Sequence, residues 1–274
     1  MTQKETLGFL SFAIESSLRA GKEILQVYST TDFGVQLKED RTPLTLADQM
    51  ANKVITDILN STGLPVLSEE GKHLSFEERS KWDYYWLVDP LDGTKEFINR
   101  NGEFTVNIAL IKKDSPVAGV IYIPVQKKLY ISEIETGAFC IENICADFAG
   151  DFSFEKTALK GRKMPYAEKN EKMVVVGSRS HMNAETEVFI QNLRDQYGEL
   201  EFQSKGSSLK ICMVAEGNAD IYPRFGPTME WDTAAGHAIA LGAGCSFTLK
   251  DGQTPIKYNK KELLNDWFIV RRKP

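Results

Sequence analysis

The chain has 274 residues, of which 42% are hydrophobic and 26% charged, a composition typical of globular proteins. This length is enough to bury a large core, as one large domain or as two smaller ones. The net charge of −5 argues against a general nucleic-acid-binding surface, so no nucleic-acid partner is expected. The four cysteines form no C-x-x-C pair and no zinc-like spacing with histidine, which is typical of free thiols in a reducing compartment.

Two helices are predicted near the N-terminus. Apolar residues recur at near-helical spacing over 5–29. A second helix is expected over 45–60, because Thr45 and Asp48 have the N-cap and N3 spacing of a capping box. Since Glu15 breaks the first apolar stretch, we expect neither a signal peptide nor an integral membrane segment, and a cytoplasmic protein.

A β-rich region follows the helices. Strand-like runs lie at 84–89, 104–111, 117–123 and 128–134, and short turns separate them. Neighbouring strands on such short connections predict an antiparallel meander. The polar stretch 143–170 has little periodicity and is the candidate domain boundary.

The second half has a different pattern. Strands and helices alternate there, with strands predicted at 173–177, 200–203, 219–222 and 267–270 and helices at 185–197, 208–216 and 232–241. Such alternation predicts α/β layering. We therefore predict an N-terminal α+β half over 1–150, with an antiparallel sheet, and a C-terminal α/β half over 151–274.

Two aspartates directly follow the aromatic strand at 84–89. The segment is Asp89-Pro90-Leu91-Asp92-Gly93-Thr94, and its tight turn can aim Asp89, Asp92 and the Leu91 carbonyl at one point. Mg²⁺ prefers such oxygen ligands. Gly93-Thr94 also opens a predicted short helix, whose N–H groups could hold a phosphate oxygen, while the Thr94 hydroxyl could align an attacking water. Alternatively, the segment is an ordinary turn and Thr94 a helix cap.

Further acids lie far away in the chain. Glu69 and Glu70 follow a strand-like end at Val66-Leu67, and Asp232 opens the helix predicted at 232–241. Each has an ordinary alternative: a solvated acidic pair for the glutamates, an N-cap for Asp232, and the capping box for Asp48. Taken together, however, these carboxylates suffice for two or three divalent cations, which predicts metal-assisted phosphate chemistry.

These motifs resemble those of the inositol monophosphatase superfamily, a group of Mg²⁺-dependent, lithium-sensitive phosphatases. The resemblance is carried by Asp89-Pro90-Leu91-Asp92-Gly93-Thr94, by Trp231-Asp232-x-Ala234-Ala235-Gly236, and by Glu69-Glu70 and Thr45-x-Ala47-Asp48 upstream. It covers about residues 5–272 and is greatest for the CysQ-type 3′(2′),5′-bisphosphate nucleotidases. It implies the superfamily's layered α-β-α-β-α sandwich, an α+β or α/β class fold, with the active site between the two halves.

The resemblance also implies roles for individual residues. Glu69, Asp89 and the Leu91 carbonyl would bind one Mg²⁺, and Asp89, Asp92 and Asp232 a second. Glu69 would also contact a third ion through water and so take part in catalysis. Asp48 and Thr94 would activate the nucleophilic water, and Gly93, Thr94 and Asp232 would also contact the substrate.

The second half favours a substrate with two phosphates. By resemblance, Ser178, His181, Gly206 and Lys210 bind the nucleotide, and Arg224 stands where inositol monophosphatases carry an acid. Alternatively, His181 starts a helix and Arg224 is a surface charge. The expected partner is a small bisphosphorylated nucleotide, and the expected reaction releases the 3′-phosphate of adenosine 3′,5′-bisphosphate.

Other activities stay open at this point. Inositol monophosphatase or sugar bisphosphatase activity is the alternative within the same class, and a non-catalytic, metal-dependent phospholigand sensor is the alternative from another class. Proteins of the CysQ type can also associate with the membrane periphery, at its inner face. The sequence does not reveal the oligomeric state.

Overall fold

The computed structural model describes residues 1–31, 33–37, 43–72, 74–148, 150–168, 170–178 and 182–273. The helices of these residues are α1 (Gln3–Tyr28), α2 (Leu46–Asn60), α3 (Phe76–Arg79), α4 (Thr94–Ile98), α5 (Phe154–Ala158), α6 (Ala184–Tyr197), α7 (Leu209–Glu216) and α8 (Glu230–Gly242). The strands are β1 (Gln36–Leu37), β2 (Pro43–Leu44), β3 (Val66–Ser68), β4 (Tyr84–Asp92), β5 (Thr105–Lys112), β6 (Ser115–Ile123), β7 (Lys128–Glu133), β8 (Gly137–Ile141), β9 (Arg162–Lys163), β10 (Met173–Gly177), β11 (Leu200–Ser204), β12 (Ile221–Arg224), β13 (Ser246–Leu249) and β14 (Phe268–Arg271). His181 lies outside the described residues.

A seven-stranded sheet forms the larger layer, in the order β3-β4-β5-β6-β7-β8-β9. Strands β4 to β8 pair antiparallel with their sequence neighbours, which confirms the predicted meander. The first strand, β3, instead pairs parallel to β4, with Val66 opposite Trp86. This parallel pairing brings the chain after β3 to the same end of the sheet as Asp89.

A smaller sheet of five strands has the order β11-β10-β12-β14-β13. Strand β10 pairs parallel to β11 and β12, whereas β12 and β13 pair antiparallel to β14. The prediction of β10 at 173–177 is confirmed, and so is the strand-helix alternation around it. The strand predicted at 219–222 runs two residues later, as Ile221–Arg224.

Helices α7 and α8 fill the space between the two sheets. One buried cluster joins Leu87 and Ile121 of the larger sheet, Cys212 and Ile239 of the two helices, and Val176 of the smaller sheet. The packing is close: a Cβ atom built on Gly119 of β6 would lie 2.5 Å from the Ala235 carbonyl oxygen of α8. Only glycine therefore fits at this crossing.

The outer faces of both sheets are covered by helices. Leu10 and Ile14 of α1 and Ile55 of α2 pack on the larger sheet, in one cluster with Trp86. On the smaller sheet, Ile190 and its neighbours on α6 cover the opposite face. The resulting order of layers is helix, sheet, helix, sheet, helix, which confirms the predicted α-β-α-β-α sandwich.

The polar stretch proposed as a domain boundary contains two short elements. Helix α5 packs against α1 and β8, and β9 extends the larger sheet by pairing Lys163 with Phe139. The division into 1–150 and 151–274 stays a prediction. Among the described residues, no helix combines the length and apolar character needed to cross a membrane.

Candidate active site

Carboxylates from three distant segments converge at one end of the larger sheet. Glu69, Asp89 and Asp232 each place an oxygen within 4.8 Å of the others. Glu69 directly follows β3, Asp89 lies on β4, and Asp232 is in the first turn of α8. The packing of α8 between the sheets therefore completes a cluster that β3 and β4 begin.

An irregularity in β4 shapes this end of the sheet. Asp89 pairs with Asn107 and Asp92 with Thr105, and the register shifts between the two pairs. One carboxylate oxygen of Asp89 accepts a hydrogen bond from the Leu91 N–H at 3.0 Å. The bulge therefore turns the backbone so that both aspartates lie at the sheet end, which is a common use of bulges.

Asp232 is not the N-cap of α8, which was the alternative interpretation of this residue. Helix α8 begins at Glu230, so Asp232 is the N3 residue and not the N-cap. Its Oδ2 accepts a hydrogen bond from the Met229 N–H at 2.8 Å. That bond fixes the carboxylate at the helix start, and the group still reaches the acidic cluster.

The convergence of these acids is unfavourable without a counter-charge. Burial, and then the negative charge of Glu69, raise the pKa of Asp89 well above its usual value. Burial and the charge of Asp92 likewise raise the pKa of Asp232. Carboxylate oxygens that repel one another in a buried cluster are a suitable donor set for a hard divalent cation. The residues present therefore fit the metal site that the motifs predict.

The second aspartate of the turn is held by the other half of the chain. Asp92 Oδ2 accepts hydrogen bonds from Ser207 Oγ at 2.8 Å and from the Ser208 N–H and Oγ at 2.8 and 2.9 Å. Asp92 is not one of the three converging acids, although its charge acts on both Asp89 and Asp232. No signal in the sequence pointed to either serine side chain, because both lie more than 100 positions from Asp92.

Asp48 and Thr94, to which the resemblance gives the activation of water, lie close together. Thr94 Oγ1 is 3.4 Å from Asp48 Oδ1 and 3.4 Å from the Leu91 carbonyl oxygen. The other Asp48 oxygen accepts from the Thr45 N–H and Oγ1 at 2.7 and 2.6 Å. The capping role and the pairing with Thr94 therefore coexist, one on each carboxylate oxygen.

Glycine is required at the turn that leads into α4. Gly93 has a φ of +92°, in the left-handed region. A Cβ atom there would also lie 3.2 Å from Ser207 Cβ. The loop that carries Ser207 therefore packs closely on the acidic turn.

A cavity of about 130 Å³ adjoins Asp92 and Asp232. Its wall includes five of the predicted substrate residues, namely Ser178, Gly206, Lys210, Arg224 and Asp232 itself. Other lining residues were not anticipated from the sequence; they include Glu96, Tyr222, Thr228 and Phe268. The structure thus brings most of the predicted substrate residues to the edge of the predicted metal site.

Lys210 is almost fully buried beneath this cavity. Its ammonium donates to the Ser207 and Lys205 carbonyl oxygens at 2.6 and 3.2 Å. Burial lowers the pKa of Lys210 to about 8. A buried cation with one hydrogen left to donate can bind an anion strongly, because little water competes.

Arg224 is half-buried and also lines the cavity. Its Nη2 donates to the Pro227 carbonyl oxygen at 2.8 Å, whereas its enclosed Nε has no partner in the part of the chain that the structure describes. The side chain is therefore not a simple surface charge.

The backbone N–H groups of the loop before α7 are already engaged. The Gly206 N–H donates to Glu103 Oε2 at 2.8 Å, and the Ser208 N–H donates to Asp92. These two N–H groups therefore already donate to carboxylates of the protein. A Cβ atom on Gly206 would lie 2.8 Å from Glu96 Cγ, so glycine permits the close approach of this loop to α4.

Comparisons with known proteins agree with this geometry. The model of the inositol monophosphatase family matches residues 7–270. The 3′(2′),5′-bisphosphate nucleotidases CysQ of Shigella flexneri and Escherichia coli K12 are each 46% identical over 255 residues, covering 92% of this chain and 94% of theirs. The crystal structure of CysQ from Bacteroides thetaiotaomicron is 48% identical, has a TM-score of 0.90, and covers 100% of this chain and 99% of its own.

A more distant structure shares the fold alone. It is an IMPase from Thermotoga maritima, which is 21% identical with a TM-score of 0.73 and covers 96% of this chain and 91% of its own. The motif-based recognition is confirmed: the chain belongs to the inositol monophosphatase family.

Proposed function

We propose that this protein is a Mg²⁺-dependent phosphatase that hydrolyses the 3′-phosphate of adenosine 3′,5′-bisphosphate, giving AMP and phosphate. The observation that carries the proposal is that a buried lysine and a half-buried arginine line a cavity directly beside the acidic cluster. Two anionic groups on one small molecule would be bound by such a site, one at each end. The names of the CysQ relatives agree with this choice, and 3′-phosphoadenylyl sulfate is a second candidate substrate.

The acidic residues would hold two to three Mg²⁺ ions. Glu69, Asp89 and the Leu91 carbonyl would bind the first, and Asp89, Asp92 and Asp232 the second. When bound, Mg²⁺ would offset the charge of the scissile phosphate and of the cluster itself. Glu69, as a member of the cluster, would contribute to catalysis in this way.

Asp48 and Thr94 would handle the proton of the attacking water. The Thr94 hydroxyl can accept a hydrogen bond from that water while it donates to Asp48 Oδ1. The two bonds from Thr45 to the other oxygen hold the Asp48 carboxylate in place, with Oδ1 directed toward Thr94. In-line attack on phosphorus would then break its bond to the ribose 3′-oxygen, with no covalent enzyme intermediate.

The remaining predicted residues would select the substrate. Lys210, Arg224 and Ser178 would bind the 5′-phosphate side, and Gly206 would permit the loop to approach it. Gly93, Thr94 and Asp232 would contact the scissile phosphate. His181, which is outside the described residues, belongs to the same predicted pocket.

A phosphate-release assay on the purified protein tests this function. The substrates are adenosine 3′,5′-bisphosphate, 3′-phosphoadenylyl sulfate, inositol 1-phosphate and fructose 1,6-bisphosphate, each with Mg²⁺ and with a chelator. We expect the highest kcat/KM for a 3′-phosphorylated nucleotide and no turnover with the chelator. A higher kcat/KM for inositol 1-phosphate or the sugar would favour the same-class alternatives, and binding without turnover of any substrate would favour the sensor.

A further inference from the structure

The Tyr222 side chain has a hydroxyl that nothing so far explains. The residue is only 4% exposed, and its hydroxyl has no hydrogen-bond partner among the described residues. Unlike the hydroxyl of Tyr85, which is sealed inside the protein without a partner, it is not closed off from solvent. Tyr222 instead lines the cavity beside Asp92 and Asp232. An unpaired polar group in a buried wall is costly unless a ligand or water pairs with it.

Packing holds the Tyr222 ring in place. The Tyr222 ring meets Phe268 edge to face, with centroids 5.7 Å apart and planes at 87°. The Lys210 ammonium lies 5.6 Å from the centre of the same ring. The backbone of Tyr222 is also fixed, because Tyr222 pairs with Val270 of β14. A ligand would therefore meet a donor that is already ordered, so little conformational entropy is lost on binding.

The charges around the hydroxyl indicate which ligand it would pair with. Lys210 and Arg224 line the same cavity, and Lys210 gives two of its three hydrogens to backbone carbonyls. A phosphate offers more acceptor sites than the remaining hydrogens of these two cations would fill. Burial raises the pKa of Tyr222, so its phenol keeps its proton and is a donor at any working pH.

We propose that the Tyr222 hydroxyl is a specificity-determining group that donates a hydrogen bond to the 5′-phosphate of the bisphosphate nucleotide, beside Lys210 and Arg224. This inference rests on the proposed function, because it assumes a substrate with a second phosphate. The Tyr222 hydroxyl, on β12, would then be a neutral donor that favours a substrate with a 5′-phosphate over one without it.

Tyr222→Phe tests the proposal, because it removes the hydroxyl and keeps the ring that packs on Phe268. The matched control is Tyr85→Phe, which removes another buried, unpartnered hydroxyl that lies away from the cavity. Both variants are checked for an unchanged melting temperature. The kinetic readout is the ratio of kcat/KM for adenosine 3′,5′-bisphosphate to kcat/KM for adenosine 3′-monophosphate, and the binding readout is the Kd of AMP against that of adenosine.

We expect the kinetic ratio to fall about tenfold in Tyr222→Phe, and the Kd of AMP to rise about tenfold, as for a lost hydrogen bond to a charged group. Tyr85→Phe should leave both values at those of the unmodified protein. Equal AMP affinity in Tyr222→Phe and the unmodified protein would overturn the proposal, and so would the same loss in both variants. If the unmodified protein failed to hydrolyse the bisphosphate nucleotide, the proposed function would fail, and the AMP measurement would still decide the role of Tyr222.

Discussion

Asp92 and Ser208 are joined by two hydrogen bonds, from the Ser208 N–H and hydroxyl to the same carboxylate oxygen, at 2.8 and 2.9 Å. The Ser208 hydroxyl also lies 2.9 Å from the carbonyl oxygen of Asp232. One small side chain thus connects the end of β4 to the first turn of α8. The relative position of two proposed metal ligands therefore depends on a residue that would itself bind no metal.

Replacing Ser208 by alanine should impair catalysis more than folding. The variant keeps the backbone bond to Asp92 but loses the hydroxyl, so we expect about a tenfold lower kcat/KM and a higher Mg²⁺ concentration for half-maximal activity. The loss in free energy of unfolding should be about 1 kcal/mol, as for a typical buried hydrogen bond. Steady-state kinetics across a Mg²⁺ titration and urea unfolding measure these effects.

The control is Ser132→Ala, which removes a buried hydroxyl that donates to the Ala238 carbonyl oxygen at 3.0 Å, away from the acidic cluster. It should lose similar stability and keep its kinetics. Identical kinetics in the two serine variants would contradict the positioning role of Ser208.

Asp89→Asn should abolish turnover and stabilise the metal-free fold. Burial and neighbouring negative charges disfavour the ionised Asp89 carboxylate, as the raised pKa indicates, and the amide removes that cost. Each kcal/mol gained should raise the Tm by about 2–4 °C for a chain of this size. Mg²⁺ should raise the Tm of the unmodified protein, by binding the folded state, and should have a much smaller effect on the variant.

Phosphate release and thermal melting, with chelator and with Mg²⁺, measure both effects. Asp114→Asn is the control, because Asp114 lies outside the cluster and pairs with Lys257 at 2.9 Å. Near-normal activity of Asp89→Asn would refute the assigned metal site.

Lys210→Met should weaken selection of the second phosphate. Methionine keeps most of the buried volume and removes the charge, so the KM for adenosine 3′,5′-bisphosphate should rise about tenfold or more, and that for adenosine 3′-monophosphate far less. Because the pKa of Lys210 is lowered to about 8, the unmodified protein should lose this charge above that pH. Its KM for the bisphosphate should then rise with pH, and the rise should be absent in the variant.

Initial-rate kinetics on both substrates from pH 6 to pH 9 measure this prediction. Lys172→Met serves as the control, since Lys172 forms an exposed pair with Glu199 at 2.8 Å. Equal increases in KM on the two substrates would remove Lys210 from the proposed role.

His237 should make the fold sensitive to acid. It is buried in α8, stacks on Phe247 with centroids 4.3 Å apart, and lies 3.0 Å from the Tyr258 hydroxyl through Nδ1. Burial lowers its pKa to about 3, so the folded state holds the neutral ring while the unfolded chain takes up a proton below pH 6.5. The stability due to the neutral ring is therefore present above pH 6.5 and decreases as the pH falls toward 3.

Urea unfolding of the unmodified protein and of His237→Gln between pH 7 and pH 4 measures this effect. The free energy of unfolding of the unmodified protein should fall more steeply than that of the variant, by about 1.4 kcal/mol per pH unit. Parallel pH profiles would show that His237 does not titrate as its burial indicates.

Sequence patterns predicted the helices and strands whose formation depends on residues close together in the chain. The apolar run at 173–177 is β10, and the spacing of Thr45 and Asp48 gives the start of α2. The strand Gly137–Ile141 was missed because it is short and begins with glycine, and its pairing with β7 and β9 makes it a strand. Likewise, Ser246–Leu249 is a strand because β14 lies beside it.

The acids of the candidate site were predicted because they lie on local motifs, whereas the bonds that hold them were not. Glu69, Asp89 and Asp232 lie on recognisable motifs, and the structure brings them within 4.8 Å of one another. The bonds from Ser207 and Ser208 to Asp92 span more than 100 positions in the chain and depend on how α7 packs between the sheets. No periodicity or motif encodes such a distance, so the sequence revealed the acids but not the hydroxyls that orient one of them.

The position of Asp232 late in the chain has a consequence for biosynthesis. A nascent polypeptide can pair β3 with β4 and set Glu69 beside Asp89 long before α8 leaves the ribosome. Until α8 docks, this pair lacks its third carboxylate, and until the segment before α7 docks, Asp92 lacks the serines that hold it. Emerging chains and N-terminal proteolytic fragments that lack α8 should therefore be inert toward nucleotides, so that activity begins only after α8 has been synthesised and has docked.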